Sequence, residues 1–169
     1  AAIIILAQGV PFIQLGQDFL RSKPRLLPEG EQPNEVNIFS HDSYNAPDYT
    51  NAIKWNEKLD NIDVFNYYKA LIRVRRNNPL FRLRTKEEVG KYLKFLDTGD
   101  DSFVVYKLED AETCLIIAFN PYLDKRNLSL PEGRFYTRLN EQGKMNKFPI
   151  RGNVNVPPIS AMILKRIKD

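Results

Sequence analysis

Few residues in this chain have side chains that could break or make covalent bonds. It contains one histidine, His41, and one cysteine, Cys114, in 169 residues, so a nucleophilic triad or a zinc cluster has almost nothing to draw on. His41 stands beside Asp42, but a lone dipeptide is a weak signal, and we read it as a loop histidine without a catalytic role. The carboxylates Asp18, Asp42, Asp48 and Asp60 lie in or beside one long polar stretch. Retaining glycoside hydrolysis needs a nucleophile and an acid/base about 5 Å apart on rigid elements, one with a raised pKa. Nothing in the spacing of these four fixes such a pair, and no catalytic residue is expected here.

The same stretch offers side chains that could hold a ligand, sugars among them. Sugar recognition needs flat apolar faces against the ring and planar polar groups that bridge vicinal hydroxyls. Arg21, Tyr44, Asn45, Asp48 and Trp55 supply both, and these five are the candidate substrate-binding residues. Each also has a reading without a ligand: Tyr44 and Trp55 packing the loop, Asn45 and Asp48 making the turn around Pro47, Arg21 pairing with Asp18 or Glu29. Cys114 sits in the apolar run Cys-Leu-Ile-Ile-Ala and reads as a small buried hydrophobe. A single cysteine builds no disulfide framework and no thiolate metal site, so no metal and no cofactor are expected.

The elements that must position these residues follow from periodicity. Residues 1–8 read as the end of a buried helix stopped by Gly9, and Val10 to Leu15 as a short strand buried on both faces. Helix, glycine, buried strand is the rhythm of a βα-barrel, whose active sites are built from the loops at the C-terminal ends of its strands. From Gly16 to about Asp60 the chain is rich in Pro, Asn, Asp, Ser and Gly with little periodicity; so long a loop is usually functional or disordered. Val64, Tyr67, Tyr68, Leu71, Ile72 and Arg75 then recur at helical spacing to about Asn78, with Asp60 or Asn61 as a cap and Pro79 beyond. Thr85 followed by Glu88 has the capping-box pattern and predicts a short helix to about Gly90.

Past Tyr92 the texture changes to short runs rich in Val, Ile, Phe and Tyr. Strands are predicted at 92–96, 102–109, 113–119, 126–130, 134–139, 153–156 and 159–167, with turns at Thr98-Gly-Asp-Asp, Glu109-Asp-Ala-Glu, Asn120-Pro and Pro131-Glu-Gly. Seven short strands argue an antiparallel sandwich.

Composition sets the outer limits. Hydrophobic residues at 43% and aromatics at 11% are ordinary for a folded chain containing sheet and exclude disordered and fibrous classes. The formal charge is only +4, with Arg73, Arg75 and Arg76 on one helix and Lys165, Arg166 and Lys168 at the end of the chain. That is too little for a nucleic-acid footprint. The apolar opening Ala1 to Ala7 lacks a basic leading region, and Pro11, Gln14 and Gln17 interrupt it well short of the roughly 20 residues a spanning helix needs. Neither a membrane nor a targeting segment is therefore expected, cytoplasmic and secreted locations both stay open, and the chain reads as a piece cut from a longer one.

Specific motifs carry a resemblance. Gly9-Val-Pro-Phe-Ile-Gln-Leu-Gly-Gln-Asp-Phe-Leu-Arg-Ser-Lys23 and Asp42-Ser-Tyr-Asn-Ala-Pro-Asp48, with Ile-Lys-Trp ending at Trp55, resemble the eighth barrel strand and following loop of pullulanase-type starch-debranching enzymes. These belong to the α-amylase superfamily, glycoside hydrolase family thirteen. The stretch Phe65 to Arg82 is similar to the last barrel helix of that family. The resemblance implies a fold that is mainly β with some α: residues 1–84 as the C-terminal end of a (β/α)8 barrel with a long active-site loop, and residues 85–169 as a C-terminal antiparallel β-sandwich. It implies a parent enzyme that cleaves α-1,6-glucosidic linkages in pullulan, glycogen or amylopectin by double displacement, with catalytic carboxylates N-terminal to this stretch. The superfamily's His-Asp site precedes the Gly-x-Pro-Phe-Ile strand, whereas His41-Asp42 follows it. Two departures stand out: Pro24 to Ser40 reads as an insertion, and Ala70 stands where the helix often has glycine, which favours helix.

The implied partners are an α-glucan, reached through the intact enzyme, and the remainder of the barrel. The alternative is a non-catalytic carbohydrate-binding module formed by residues 85–169, which contain Tyr92, Tyr106, Tyr122, Phe135 and Tyr136 but no tryptophan; their period-two alternation favours a supporting core. A third reading is an interaction fragment that self-associates through Ile3, Ile5, Phe12 and Phe19.

Overall fold

The computed structural model describes residues 1–168. They divide into two compact units, one of residues 1–12 with 66–168 and one of residues 13–65, described in turn.

The first unit is built on antiparallel sheet. Its strands are β1 Leu93–Leu96, β2 Val104–Glu109, β3 Cys114–Asn120, β4 Arg126–Ser129, β5 Phe135–Leu139, β6 Asn146–Ile150, β7 Asn153–Val156 and β8 Ser160–Arg166. Six form one sheet in the order β1-β2-β3-β8-β5-β6, and β4 pairs with β7 in a second, two-stranded sheet. β3 pairs with β2 from Glu109↔Cys114 to Val104↔Phe119 and with β8 from Leu115↔Lys165 to Asn120↔Ser160. All seven predicted strands are present, within two residues of their expected ends.

Between the two sheets lies a core of Phe103, Val105, Ile116, Ala118, Leu128, Phe135, Val156 and Leu164, with Cys114 and Met162 at its edge. Neighbouring residues on a strand point to opposite faces, so Tyr106 and Leu108 on β2, and Leu115 and Ile117 on β3, leave that core. They are buried all the same. The Tyr106 hydroxyl donates to the Leu6 carbonyl oxygen at 2.8 Å, and the turn Pro79–Phe81 packs on β2. Helical segments thus cover the far face of the large sheet, which is why Cys-Leu-Ile-Ile-Ala-Phe reads as a continuous apolar run and not an alternating one.

α1 is short, Ala2–Leu6. It stops before Gly9 because Ala7 is already extended, with ψ 162°. Its last carbonyls are satisfied from a distance: Arg75 donates from Nη1 to Ile5 at 2.9 Å and Ala7 at 2.6 Å, and from Nη2 to Gly9. Arg75 belongs to α4, Ile62–Asn77, which buries Tyr68, Leu71 and Arg75 of the predicted stripe and also Val74, while Ile72 of that stripe is exposed. α5, Lys86–Tyr92, opens with the predicted capping box, Thr85 Oγ1 accepting from the Glu88 amide at 3.1 Å while the Glu88 carboxylate accepts from the Thr85 amide.

Two expectations need correction. Val10 to Leu15 form no strand, because nothing among the described residues offers the ladder that a buried strand needs. An eighth strand, β6, was unforeseen: it carries Pro149 and is exposed at four of its five residues, as an edge strand allows.

The second unit is the long loop. It contains a single 3₁₀ turn, Gln17–Phe19, and two one-turn helices, α2 Asp48–Asn51 and α3 Glu57–Asp60. Each is too short to show a period in sequence. The Pro24 to Ser40 segment leaves and rejoins the loop at neighbouring points, closed by a bridge between Pro24 and Phe39 and by Ser40 N–H donating to Lys23 oxygen at 2.9 Å. No helix among the described residues is long and apolar enough to cross a membrane.

Candidate functional site

All five candidate sugar-binding residues lie in the unit of residues 13–65. Four of them present their side chains to solvent. Tyr44 is 97% exposed and Trp55 is 64% exposed, and Asn45 and Asp48 are exposed beside them in sequence. Trp55 leans on buried Phe19, ring centroids 6.0 Å apart and planes tilted by 38°. One face of the indole is thereby supported while most of the ring stays accessible. Asp48 occupies the first position of α2, after Pro47 with φ −67°, where a carboxylate favours the helix start.

Arg21 is used differently. Its Nη2 donates to the Asn51 carbonyl oxygen and its Nη1 to that of Leu15 at 3.4 Å, while Nε is buried without a hydrogen-bond partner. It meets neither Asp18 nor Glu29 as an ion pair. The approach of its aliphatic stem explains Gly16: with φ +87°, a Cβ there would lie 2.7 Å from Arg21 Cβ, so only glycine fits.

Sequence reasoning missed the residues that shape the Asp42–Asp48 turn. The Asn51 side-chain amide donates to Ser43 oxygen at 2.7 Å and to Ala46 oxygen at 3.0 Å. Lys23 Nζ donates to Ser43 Oγ at 2.5 Å, and Thr50 Oγ1 to Pro24 oxygen at 2.7 Å. The Tyr44 amide is held by Asp42 Oδ1 at 3.1 Å. The only available hint was chemical: Asn, Asp and Ser clustered around Pro47 are the residues that bond back to nearby backbone.

His41 is exposed, with Nε2 3.3 Å from the Val36 oxygen. Among the described residues no group of three or more His, Cys, Asp or Glu could hold a metal ion. Cys114 is buried, and that burial, reinforced by the Glu109 carboxylate, pushes its thiol up to about 11; it is protonated and unreactive at neutral pH. The first unit also holds an open, mainly apolar cavity of about 800 Å³ between α1 and the large sheet, lined by Ile3, Leu93, Phe95, Val104, Phe119 and Ile159 among others.

This geometry has close counterparts. Residues 56–134 match the family described as α-1,6-glucosidases, pullulanase-type, C-terminal. The chain is 29% identical over 176 residues to the pullulanase of Bacillus subtilis strain 168, covering all of this chain and 22% of that protein. Among solved structures it is similar to a pullulanase from Bacillus acidopullulyticus, with a TM-score of 0.82 and 31% identity over 98% of this chain and 19% of that one. A pullulanase from an Anoxybacillus species, solved in complex with maltotetraose, has a TM-score of 0.79 at 27% identity over 98% of this chain and 22% of that one. The chain spans about one-fifth of the length of these relatives.

Proposed function

Because the chain belongs to the pullulanase-type α-1,6-glucosidases, as their C-terminal portion, we propose that it lines the glucan cleft of a debranching enzyme and supports its barrel. In this reading residues 1–84 are the end of a (β/α)8 barrel and residues 85–169 the sandwich that flanks it. The parent enzyme would hydrolyse α-1,6-glucosidic linkages in pullulan, glycogen or amylopectin through a covalent glycosyl-enzyme. The catalytic carboxylates belong to the remainder of the barrel, and the 169-residue chain is inactive alone.

The observation that carries this reading is the exposure of Tyr44, Asn45 and Asp48 around one hydrogen-bonded turn, with Trp55 exposed in the same unit. An aromatic ring left in water forgoes roughly 2 kcal/mol of burial. Tyr44 stands on this turn with an amide and a carboxylate, and a second exposed ring, Trp55, lies in the same unit: rings can stack on pyranose faces and planar groups can bridge hydroxyls. Maltotetraose bound by the Anoxybacillus relative is the matching ligand chemistry, a short α-glucan.

The test is a hybrid. The segment of Bacillus subtilis pullulanase that aligns with this chain is replaced by residues 1–169, and release of reducing sugar from pullulan is measured. Activity in the hybrid and none from the chain alone is expected. A folded hybrid without activity, or measurable hydrolysis by the chain alone, overturns the proposal.

A further inference from the structure

We propose that Arg21 and Asn51 are positioning residues that lock the Asp42–Asp48 turn into the shape that offers Tyr44 and Asn45 to the glucan. This rests on the reading of the loop as part of a glucan cleft. It assigns Arg21 a task other than sugar contact and brings in Asn51.

The locking is a chain of hydrogen bonds. The Arg21 stem passes over Gly16 so closely that a Cβ there would lie 2.7 Å from it, and its guanidinium reaches from the Leu15 carbonyl to the Asn51 carbonyl. Asn51 is the last residue of α2. A cation on that carbonyl satisfies an end-of-helix acceptor that has no partner within the helix. From the same residue the side-chain amide grips Ser43 and Ala46 at 2.7 and 3.0 Å. Ser43 oxygen also accepts from the Ala46 amide at 3.2 Å, closing the turn.

Tyr44 and Asn45 are the two residues between the gripped carbonyls. Their backbone is tied on both sides while their side chains are exposed. A rigid turn with free side chains loses little conformational freedom when a ligand arrives.

The 169-residue chain is compared with its Arg21→Met, Arg21→Lys, Asn51→Asp and Arg21→Met/Asn51→Asp variants, with maltotetraose as probe. Three quantities are read: hydrogen exchange at the Ala46 amide, the sugar-free NMR positions of the Tyr44 and Asn45 amides, and maltotetraose affinity from the fluorescence of Trp55, the chain's single tryptophan. Arg21→Met and Asn51→Asp should each accelerate exchange at Ala46 about tenfold, move the Tyr44 and Asn45 signals, and weaken maltotetraose about tenfold. The double variant should lose no more than the worse single one, because both act through one set of bonds. Arg21→Lys, which can still reach Asn51 oxygen, should recover part of the loss. Unchanged exchange in β3 confirms that the fold persists.

A loosened turn with unchanged affinity overturns the proposal. So do additive losses with Ala46 still protected, which would make both residues direct ligands. If the unaltered chain does not respond to maltotetraose, it is the glucan-cleft reading that fails. Exchange at Ala46 then decides the clamp, accelerated exchange supporting it and unchanged protection refuting it.

Discussion

Arg75 shows how a single side chain can complete a helix it does not belong to. Only 8% exposed, it spends its guanidinium on the carbonyls of Ile5, Ala7 and Gly9. Burial, with Arg82 nearby, holds its pKa below the usual guanidinium value, yet an arginine remains charged at any ordinary pH. Arg75→Met should keep the volume and orphan the carbonyls, costing about 3 kcal/mol in urea denaturation; an unchanged midpoint would show that water replaces the guanidinium. Cys114 supplies a pH signature. Its thiol is raised in the fold to about 11 against about 8.5 in an unfolded chain. The unfolded state releases that proton first, so the contribution is intact below about pH 8.5 and is lost as the pH rises toward 11. Stability should therefore decline over that interval, and Cys114→Ala should flatten part of the decline. A thiol reagent at pH 8 should label Cys114 only as the protein unfolds; immediate labelling would contradict its burial.

At the scale of the element, what the sequence disclosed depended on whether each segment carries its own instructions. α5 does: Thr85 and Glu88 cap each other's backbone amides three residues apart, so the capping box was legible, and Thr85→Ala should cost about 1 kcal/mol by thermal or urea unfolding. α4 was legible because Val64, Tyr67, Tyr68, Leu71, Ile72 and Arg75 recur at helical spacing along its sixteen residues, although the spacing did not mark buried Val74 or the exposure of Ile72. β2, β3 and β8 announce themselves as β-branched and aromatic runs. β6 does not, since an exposed edge strand needs no apolar alternation and Asn146 to Ile150 shows none. Val10 to Leu15 failed the other way: its residues suit a doubly buried strand, but a strand exists only when neighbours supply its hydrogen bonds. In the loop, the candidate residues could be nominated by chemistry. What shapes their turn could not, because Asn51 and Arg21 act on carbonyls, which every residue possesses, and no side-chain pattern marks which carbonyls will be met.

For the whole molecule, burial is uneven. The core between the sheets is closed, whereas Val10 and Phe12 are 82% and 86% exposed and Ile3 and Phe95 border the open apolar cavity. Apolar surface of this kind marks an interaction site, so the isolated chain should self-associate as concentration rises from micromolar to hundreds of micromolar in sedimentation velocity. Ile3→Ser with Phe12→Ser should raise the concentration required, and a single species at all concentrations would refute the idea. The order β1-β2-β3-β8-β5-β6 carries a consequence for biosynthesis. β8, the last of these eight strands in sequence, sits between β3 and β5 and joins two ladders that are otherwise separate. On the ribosome every other strand emerges first, and the inner edges of β3 and β5 must wait without partners, the interval in which a nascent chain most needs a chaperone. Nascent chains stalled before Ser160 should be cut readily by protease throughout the sheet, and resistance should arrive at one step, when β8 clears the exit tunnel.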